Sequence, residues 1–275
     1  MKSIRSISKI FLKVFLSIII AVSFAHAQSE QAFTPEVGQA GKDVVWVPTP
    51  QALVDKMLDM AKVTPKDYII DLGSGDGRIV ITAAKRGVRA HGIEYNPNMV
   101  ALAKRNAAKE GVSDKATFAK ADIFESDFSQ ATVITMFLLP DLNIRLRPKI
   151  LSLKPGTRIV SNTFNMQEWE ADETATAQDD CTDYCTAYLW IVPANVGGTW
   201  KLSEGELTLE QSFQMITGTL RSGKVSTPVT GKLNGNQIRF TADGTLYVGL
   251  VNGNSMNGNM QVGSNDKWSA TRMQQ

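Results

Sequence analysis

The stretch Ile69 to Gly77, IIDLGSGDG, decides how this chain is read. Three glycines at alternate positions, Gly73, Gly75 and Gly77, follow a short apolar run, Tyr68 to Leu72, that predicts a buried strand. After them, Arg78 to Arg86 has helical periodicity through Ile79, Val80, Ala83 and Ala84, and Gly87 is its stop signal. A glycine-rich loop between a strand and a helix lets a ligand approach the backbone, and the helix start offers it free amides.

The spacing is GxGxG, with the acid Asp71 just before the first glycine. Dinucleotide-binding loops use GxGxxG and receive a pyrophosphate. A carboxylate at this point would repel a pyrophosphate but could engage the ammonium of a methionine moiety, which favours S-adenosylmethionine over NAD. Working outward, Glu94 ends the next predicted strand, at about the distance where an acid accepts both hydroxyls of a ribose, and Tyr95 follows it. Asp122 ends the third strand, where its side chain can take an adenine amino group while the backbone amide of Ile123 meets the ring. Each acid alone reads equally as a helix cap or a solvated charge. Three at the ends of three successive strands make one cleft.

The flanking sequence continues the alternation. Thr49-Pro50 reads as a helix start with a hydroxyl cap, before Leu53, Val54, Met57, Leu58 and Ala61 on one face. Ala90 to Glu94 is a strand, Pro97 to Lys109 a helix capped by Asn96 and stopped by Gly111, and Ala116 to Ala121 a strand. Thr132 to Leu139 reads as a buried strand, Leu142 to Leu153 as a helix, and Arg158 to Asn162 and Thr186 to Val192 as strands, with Ala171 to Asp180 an exposed loop. This is an α/β, Rossmann-like doubly wound sheet. From residue 196 to 275 the pattern changes to short β-prone runs punctuated by Ser222-Gly223, Asn234-Gly235, Asp243-Gly244, Asn252-Gly253 and Asn257-Gly258. They predict a small antiparallel β domain, with Leu207/Leu209, Ile238/Phe240 and Leu246/Val248 alternating into its core.

The amino-terminal residues carry Lys2, Arg5, Lys9 and Lys13, then the apolar run Val14 to Ala25, then Ala25-His26-Ala27. This predicts a secretory signal peptide over residues 1–27, cleaved after Ala27, hence an exported, periplasmic protein. The apolar run falls short of the roughly 20 residues a membrane-spanning helix needs, so no stable span is expected after cleavage. Residues 28–43 read as a loosely ordered arm and 44–195 as the cofactor domain. Cleavage removes four of 29 basic residues and none of the 27 acidic ones, leaving 25 against 27 and no electrostatic handle for nucleic acid. Cys181 and Cys185, the only cysteines of the 275 residues, suggest a disulfide in an exported chain, with a metal pair or two free thiols as alternatives. His91 is the single histidine beyond the leader, which argues against a histidine-based zinc site or a Ser-His-Asp triad, and no metal is expected.

At these residues the chain resembles the class I, or seven-β-strand, S-adenosylmethionine-dependent methyltransferases, over about Val44 to Val192. VPTPQALVDKMLDMAK, DLGSGDGRIVI and TMFLLPDLNIRLRPKI make it similar to the small lysine methyltransferases of the ATP-synthase c-subunit and adenine-nucleotide-translocase type, and to their bacterial relatives. The resemblance implies cofactor contacts at Asp71, Gly73, Ser74, Gly75, Gly77, Glu94, Tyr95, Asp122 and Ile123, with Val47 to Thr49 in the same pocket. It implies a protein lysine amine as methyl acceptor. A small-molecule methyltransferase and a non-catalytic exported ligand-binding module are the alternative readings. Many amine and nucleic-acid methyltransferases carry Asn/Asp-Pro-Pro-aromatic after the fourth strand, whereas this chain has Phe137-Leu138-Leu139-Pro140, which argues against methylation of a base amino group. Phe137, Pro140, Asn162 and Phe164 are the candidate acceptor residues, with Asn165 and Trp169 nearby. Phe164 and Trp169 read equally as packing residues. In-line methyl transfer needs alignment more than it needs a base, and no catalytic base or oligomeric state is assigned.

Overall fold

The computed structural model describes residues 33–203, 205–261 and 266–273; the predicted signal peptide lies outside them. The first domain is built on strands β1 (Tyr68–Leu72), β2 (Arg89–Glu94), β3 (Ala116–Lys120), β4 (Val133–Met136), β5 (Arg158–Asn162), β6 (Glu173–Thr176) and β7 (Thr186–Ile191). They form one sheet of order β3-β2-β1-β4-β5-β7-β6, parallel except where β7 runs antiparallel to both β5 and β6. The chain leaves β1 toward β2 and β3 on one side and returns through β4 on the other. A cleft at the carboxyl ends of β1 and β4 follows from that reversal.

Four helices cover the sheet: α1 (Gln51–Met60), α2 (Arg78–Lys85), α3 (Pro97–Lys109) and α4 (Pro140–Leu151). The strand pleat sends alternate residues to opposite cores. Ile69, Val133 and Val160 join Leu53, Met57, Val80 and Ala103 beneath α1, α2 and α3. Ile70, Ile134 and Ile159 join Leu146, Ile150 and Trp190 on the α4 face. Burial on both faces is why these strands read as apolar runs.

Several expectations are corrected. Thr49 does not cap α1, whose first residue follows Pro50 without a side-chain cap. Its hydroxyl instead accepts from Asn162 Nδ2 at 3.2 Å, and its carbonyl accepts from Arg78 at 2.8 Å. The apolar run after Thr132 stays in the sheet only to Met136, since Phe137 to Leu139 turn out of it before α4 begins at Pro140. Ala171 to Asp180 is not all loop: β6 is a polar edge strand with one neighbour, so it lacks the alternation that marks half-buried strands. Nor is the segment from Pro35 loose. Gly38 N donates to Trp46 O at 2.8 Å and Trp46 N to Gln39 O at 2.9 Å, closing a hairpin-like turn with a bridge between Ala40 and Val45.

A polar knot fastens the lower edge of the sheet. Asp67, just before β1, accepts from Thr64 N at 2.8 Å and from Thr132 Oγ1 at 2.7 Å, and it pairs with Arg158. Arg158 also donates to Ala61 O at 2.6 Å. Burial works against the Asp67 charge, but the Thr132 and Thr64 hydrogen bonds and the Arg158 guanidinium together hold its carboxyl below the usual value. Asp67→Ala strands a half-buried guanidinium and is expected to cost about 3 kcal/mol, or about 8 °C in thermal midpoint. A lowered folded-state value contributes stability above the unfolded value and loses it as pH falls. The difference between wild type and variant in calorimetric scans should therefore shrink toward zero below about pH 4.

The second domain is a closed eight-stranded antiparallel barrel: β8 (Gly198–Leu202), β9 (Gly205–Ser212), β10 (Met215–Ser222), β11 (Val225–Asn234), β12 (Gln237–Ala242), β13 (Thr245–Asn252), β14 (Ser255–Gln261) and β15 (Lys267–Arg272), with β15 closing on β8. Its interior is filled by Trp200, Leu207, Leu209, Phe240, Tyr247 and Trp268 among others. On β13 the buried residues are Tyr247, stacked on Phe240 at 4.5 Å, and Val251, so Leu246 and Val248 are not the core pair expected. Asn257-Gly258 is no turn. Gly258 pairs with Gly249 inside a ladder, where a Cβ at Gly258 would lie 1.9 Å from Val248 O. Conversely, a turn without glycine joins β9 to β10 through Phe213, at φ 53°. Phe213 stacks on Trp169 of the first domain at 5.7 Å, Gln214 Nε2 donates to Glu170 O at 2.9 Å, and Lys232 pairs with Asp172 at 2.9 Å.

Candidate active site

A cavity of about 520 Å³ lies along the carboxyl ends of the parallel strands. The glycine loop makes its floor. Gly73 and Gly75 have φ of 80° and 53°, and a Cβ on Gly75 would come within 2.7 Å of Trp46 Nε1. Ser74 is buried, and its hydroxyl has no hydrogen-bond partner. Gly77 is not part of the wall. It turns into α2 at φ 85°, and a Cβ there would meet the Phe118 ring at 2.8 Å and Ala103 at 2.9 Å, so it serves the packing beneath the loop.

The acids divide into two kinds. Asp76 is matched by Arg78, through Nε at 3.0 Å and Nη2 at 2.6 Å. Asp122 is matched by Lys42 from the amino-terminal turn at 2.5 Å and also accepts from Phe124 N at 2.9 Å. The Lys42 hydrogen bond, then that amide, hold the Asp122 carboxyl below its usual value. Asp71 and Glu94, by contrast, have no cation partner among the described residues. Asp71 is buried, accepts only from Thr135 Oγ1 at 2.7 Å, and is pushed up to about 7 by desolvation, with the Glu94 and Asp76 charges adding to the rise. Glu94 is oriented by two amides, Gly75 N on Oε2 and Asn96 N on Oε1, both at 2.9 Å. Each oxygen keeps lone-pair capacity for a further donor.

Thr49, Tyr95, Ile123, Phe137 and Phe164 also line the cavity, whereas Pro140 and Asn162 do not. Asn162 is fully buried and spent on Thr49 and Thr163, and Trp169 packs in the second core. Lining residues missed at the level of sequence include Gln39 to Trp46, Met99, Leu142 and Tyr184. Lys42 also sits 4.9 Å over the Tyr95 ring. The cysteines next to Tyr184 are joined as the disulfide Cys181–Cys185, not held as a metal pair or free thiols. No cluster of potential metal ligands occurs among the described residues, and no described helix is long and apolar enough to cross a membrane.

Known proteins share this arrangement. Residues 71–173 match the model of the ANTKMT methyltransferase domain. A protein-lysine N-methyltransferase of Saccharolobus islandicus is 44% identical over 152 residues, which is 54% of this chain and 94% of that protein. The chain belongs to this methyltransferase family. The lysine N-methyltransferase of the ATP-synthase c-subunit from Rattus norvegicus is 33% identical over 51% of this chain and 66% of that protein. Among solved structures, an RNA methyltransferase from Salinibacter ruber, in complex with S-adenosyl-L-homocysteine, is 45% identical with a TM-score of 0.51, covering 55% of this chain and 96% of that one. The chain is an S-adenosylmethionine-dependent methyltransferase on a Rossmann-like sheet, with the barrel as a separate domain.

Proposed function

We propose that this methyltransferase modifies a lysine side chain of a protein, with S-adenosylmethionine held by the glycine loop, Asp71, Ser74, Glu94, Tyr95, Ile123 and Asp122. The observation that carries the cofactor placement is the pair of uncompensated carboxylates. Asp71 is buried beside the loop without a cation, and Glu94 is oriented with acceptor capacity to spare. A ligand bringing an ammonium and two vicinal hydroxyls satisfies both. The unpartnered Ser74 hydroxyl and the Gly73–Gly75 cradle fit its methionine end.

When bound, the cofactor supplies an electrophilic methyl on a sulfonium. The chain's own part is binding, orientation and exclusion of water. Its acceptor region lies at the ends of β4 and β5, where Phe137, Leu138 and Phe164 offer an apolar face. To receive that methyl a lysine nitrogen would need a free lone pair, so it would give its proton to solvent beforehand.

Export supports a second element of the reading: the leader pattern and the Cys181–Cys185 bond both suit an oxidising compartment outside the cytosol. Amino-terminal sequencing of the cell-fractionated protein should find Gln28 first in the envelope fraction. A cytosolic chain retaining its leader removes that element. For the acceptor, purified protein is incubated with envelope extract and cofactor labelled in its methyl group. Label recovered as methyl-lysine in protein is expected. The Salinibacter relative raises RNA as a second acceptor class, and label in RNA or only in small molecules would displace the lysine reading.

A further inference from the structure

Tyr184 is fixed by structure more firmly than its exposed position suggests. It precedes β7, and Phe137 and Phe164 follow β4 and β5, so three neighbouring strands deliver three aromatic residues to one edge of the sheet. The Phe137 ring lies 6.0 Å from Phe164, at 25° between planes, and 5.2 Å from Tyr184. All three residues line the cavity, whereas Glu94 ends β2 and Asp122 follows β3, on the other side of β1 in the sheet order. Tyr184 has φ 57° and Asp180 φ 52°, left-handed values that non-glycine residues adopt at a cost. Tyr184 lies within the five-residue ring closed by Cys181 and Cys185, and Asp180 lies just before it.

We infer that Tyr184, locked by the Cys181–Cys185 ring, completes an aromatic wall with Phe137 and Phe164 that binds the aliphatic stem and cationic head of the acceptor side chain. The inference rests on the lysine reading above. A continuous aromatic surface suits a group with four methylenes and a cation. The attraction persists as methyl groups are added, because the nitrogen remains charged after each transfer. Tyr184 is therefore a specificity-determining residue, and the disulfide a positioning device for it.

The probes are Nα-acetyl-Nε-trimethyllysine methylamide and its uncharged isostere with a tert-butyl head, titrated by calorimetry into the full chain saturated with S-adenosylhomocysteine. Wild type is expected to bind the cation about tenfold more tightly than the isostere. Tyr184→Phe keeps that preference, while Tyr184→Ala and the double variant Cys181→Ser, Cys185→Ser reduce it below about threefold. Affinity for S-adenosylhomocysteine stays at the wild-type value in all of them, which separates loss of the wall from loss of the fold. Equal affinity of wild type for the two probes overturns the inference, as does a preference that survives in Tyr184→Ala. A preference that survives in the double serine variant overturns the locking role. Lysine methylation with unchanged kcat/KM in Tyr184→Ala also overturns the inference and leaves the lysine reading standing. Absence of protein methylation in wild type, with the cation preference intact, removes the lysine reading and keeps the wall.

Discussion

Asp71→Asn is expected to weaken cofactor binding by about thirtyfold or more while making the free protein more stable at pH 8. The native site holds a buried carboxylate with one hydroxyl donor and no cation, and desolvation pushes its pKa up to about 7. The unfolded chain ionises near 3.9. A raised folded-state value means that the native state retains a proton that the unfolded chain releases between those limits. Stability is consequently lost as pH rises through that window, and the penalty is complete above about pH 7. Asparagine removes the charge and still accepts from Thr135, so the variant's thermal midpoint should exceed that of wild type at pH 8 and match it near pH 4. On the proposed cofactor placement, the same change removes the partner of the cofactor's ammonium. Losing one member of a buried charge pair costs about 2–5 kcal/mol, a loss of affinity of thirtyfold or more. In wild type, cofactor affinity should weaken about tenfold for each pH unit below 7, because binding requires the ionised acid. Calorimetric titrations at pH 5.5, 6.5 and 8 check this. A pH-independent affinity would place the ammonium elsewhere.

A second large effect separates two glycines of the same loop. Gly77→Ala places a methyl 2.8 Å from the Phe118 ring, at a backbone φ of 85° and against packed core. Strain and overpacking together should cost about 3 kcal/mol, seen as a large fall in the thermal midpoint. Gly75→Ala meets the Trp46 indole at 2.7 Å, on a segment outside the sheet that lines the cavity. Trp46 can shift there without disturbing the sheet. The expected outcome is a smaller stability loss, about 1 kcal/mol from the left-handed backbone, with at least tenfold weaker cofactor binding. If both variants lose stability equally, the Trp46 segment is as rigid as the core.

The sheet and its helices were legible because each element carries its own period and punctuation. Asn96 does cap α3, accepting from Asn98 N at 2.9 Å, and Gly87 and Gly111 do follow helix ends at φ 85° and 70°. Asp71, Glu94 and Asp122 could be found because an acid at a strand end is a local signal. What stayed hidden depends on partners distant in sequence. Lys42 meets Asp122 across 80 positions, and Phe213 adopts a turn conformation because Trp169 receives its ring. Tyr184 follows the same rule: nothing in Asp183-Tyr184-Cys185 announces an aromatic neighbour at Phe137. Gly77 lies outside the cavity lining for the opposite reason, since the pattern marks that a glycine is needed without saying whether ligand or core requires it.

The closure of β15 against β8 has a consequence for the order in which the molecule can mature. From β9 to β14 each strand pairs with the one before it in the chain. β8 nevertheless keeps a free edge until Lys267–Arg272 has been synthesised, when Trp200 finds its partner at Arg272. By then the seven-stranded sheet is complete. Without β15, the seven strands β8 to β14 leave open edges at β8 and β14. Chaperone dependence during biosynthesis is to be sought there, in the last step of the barrel.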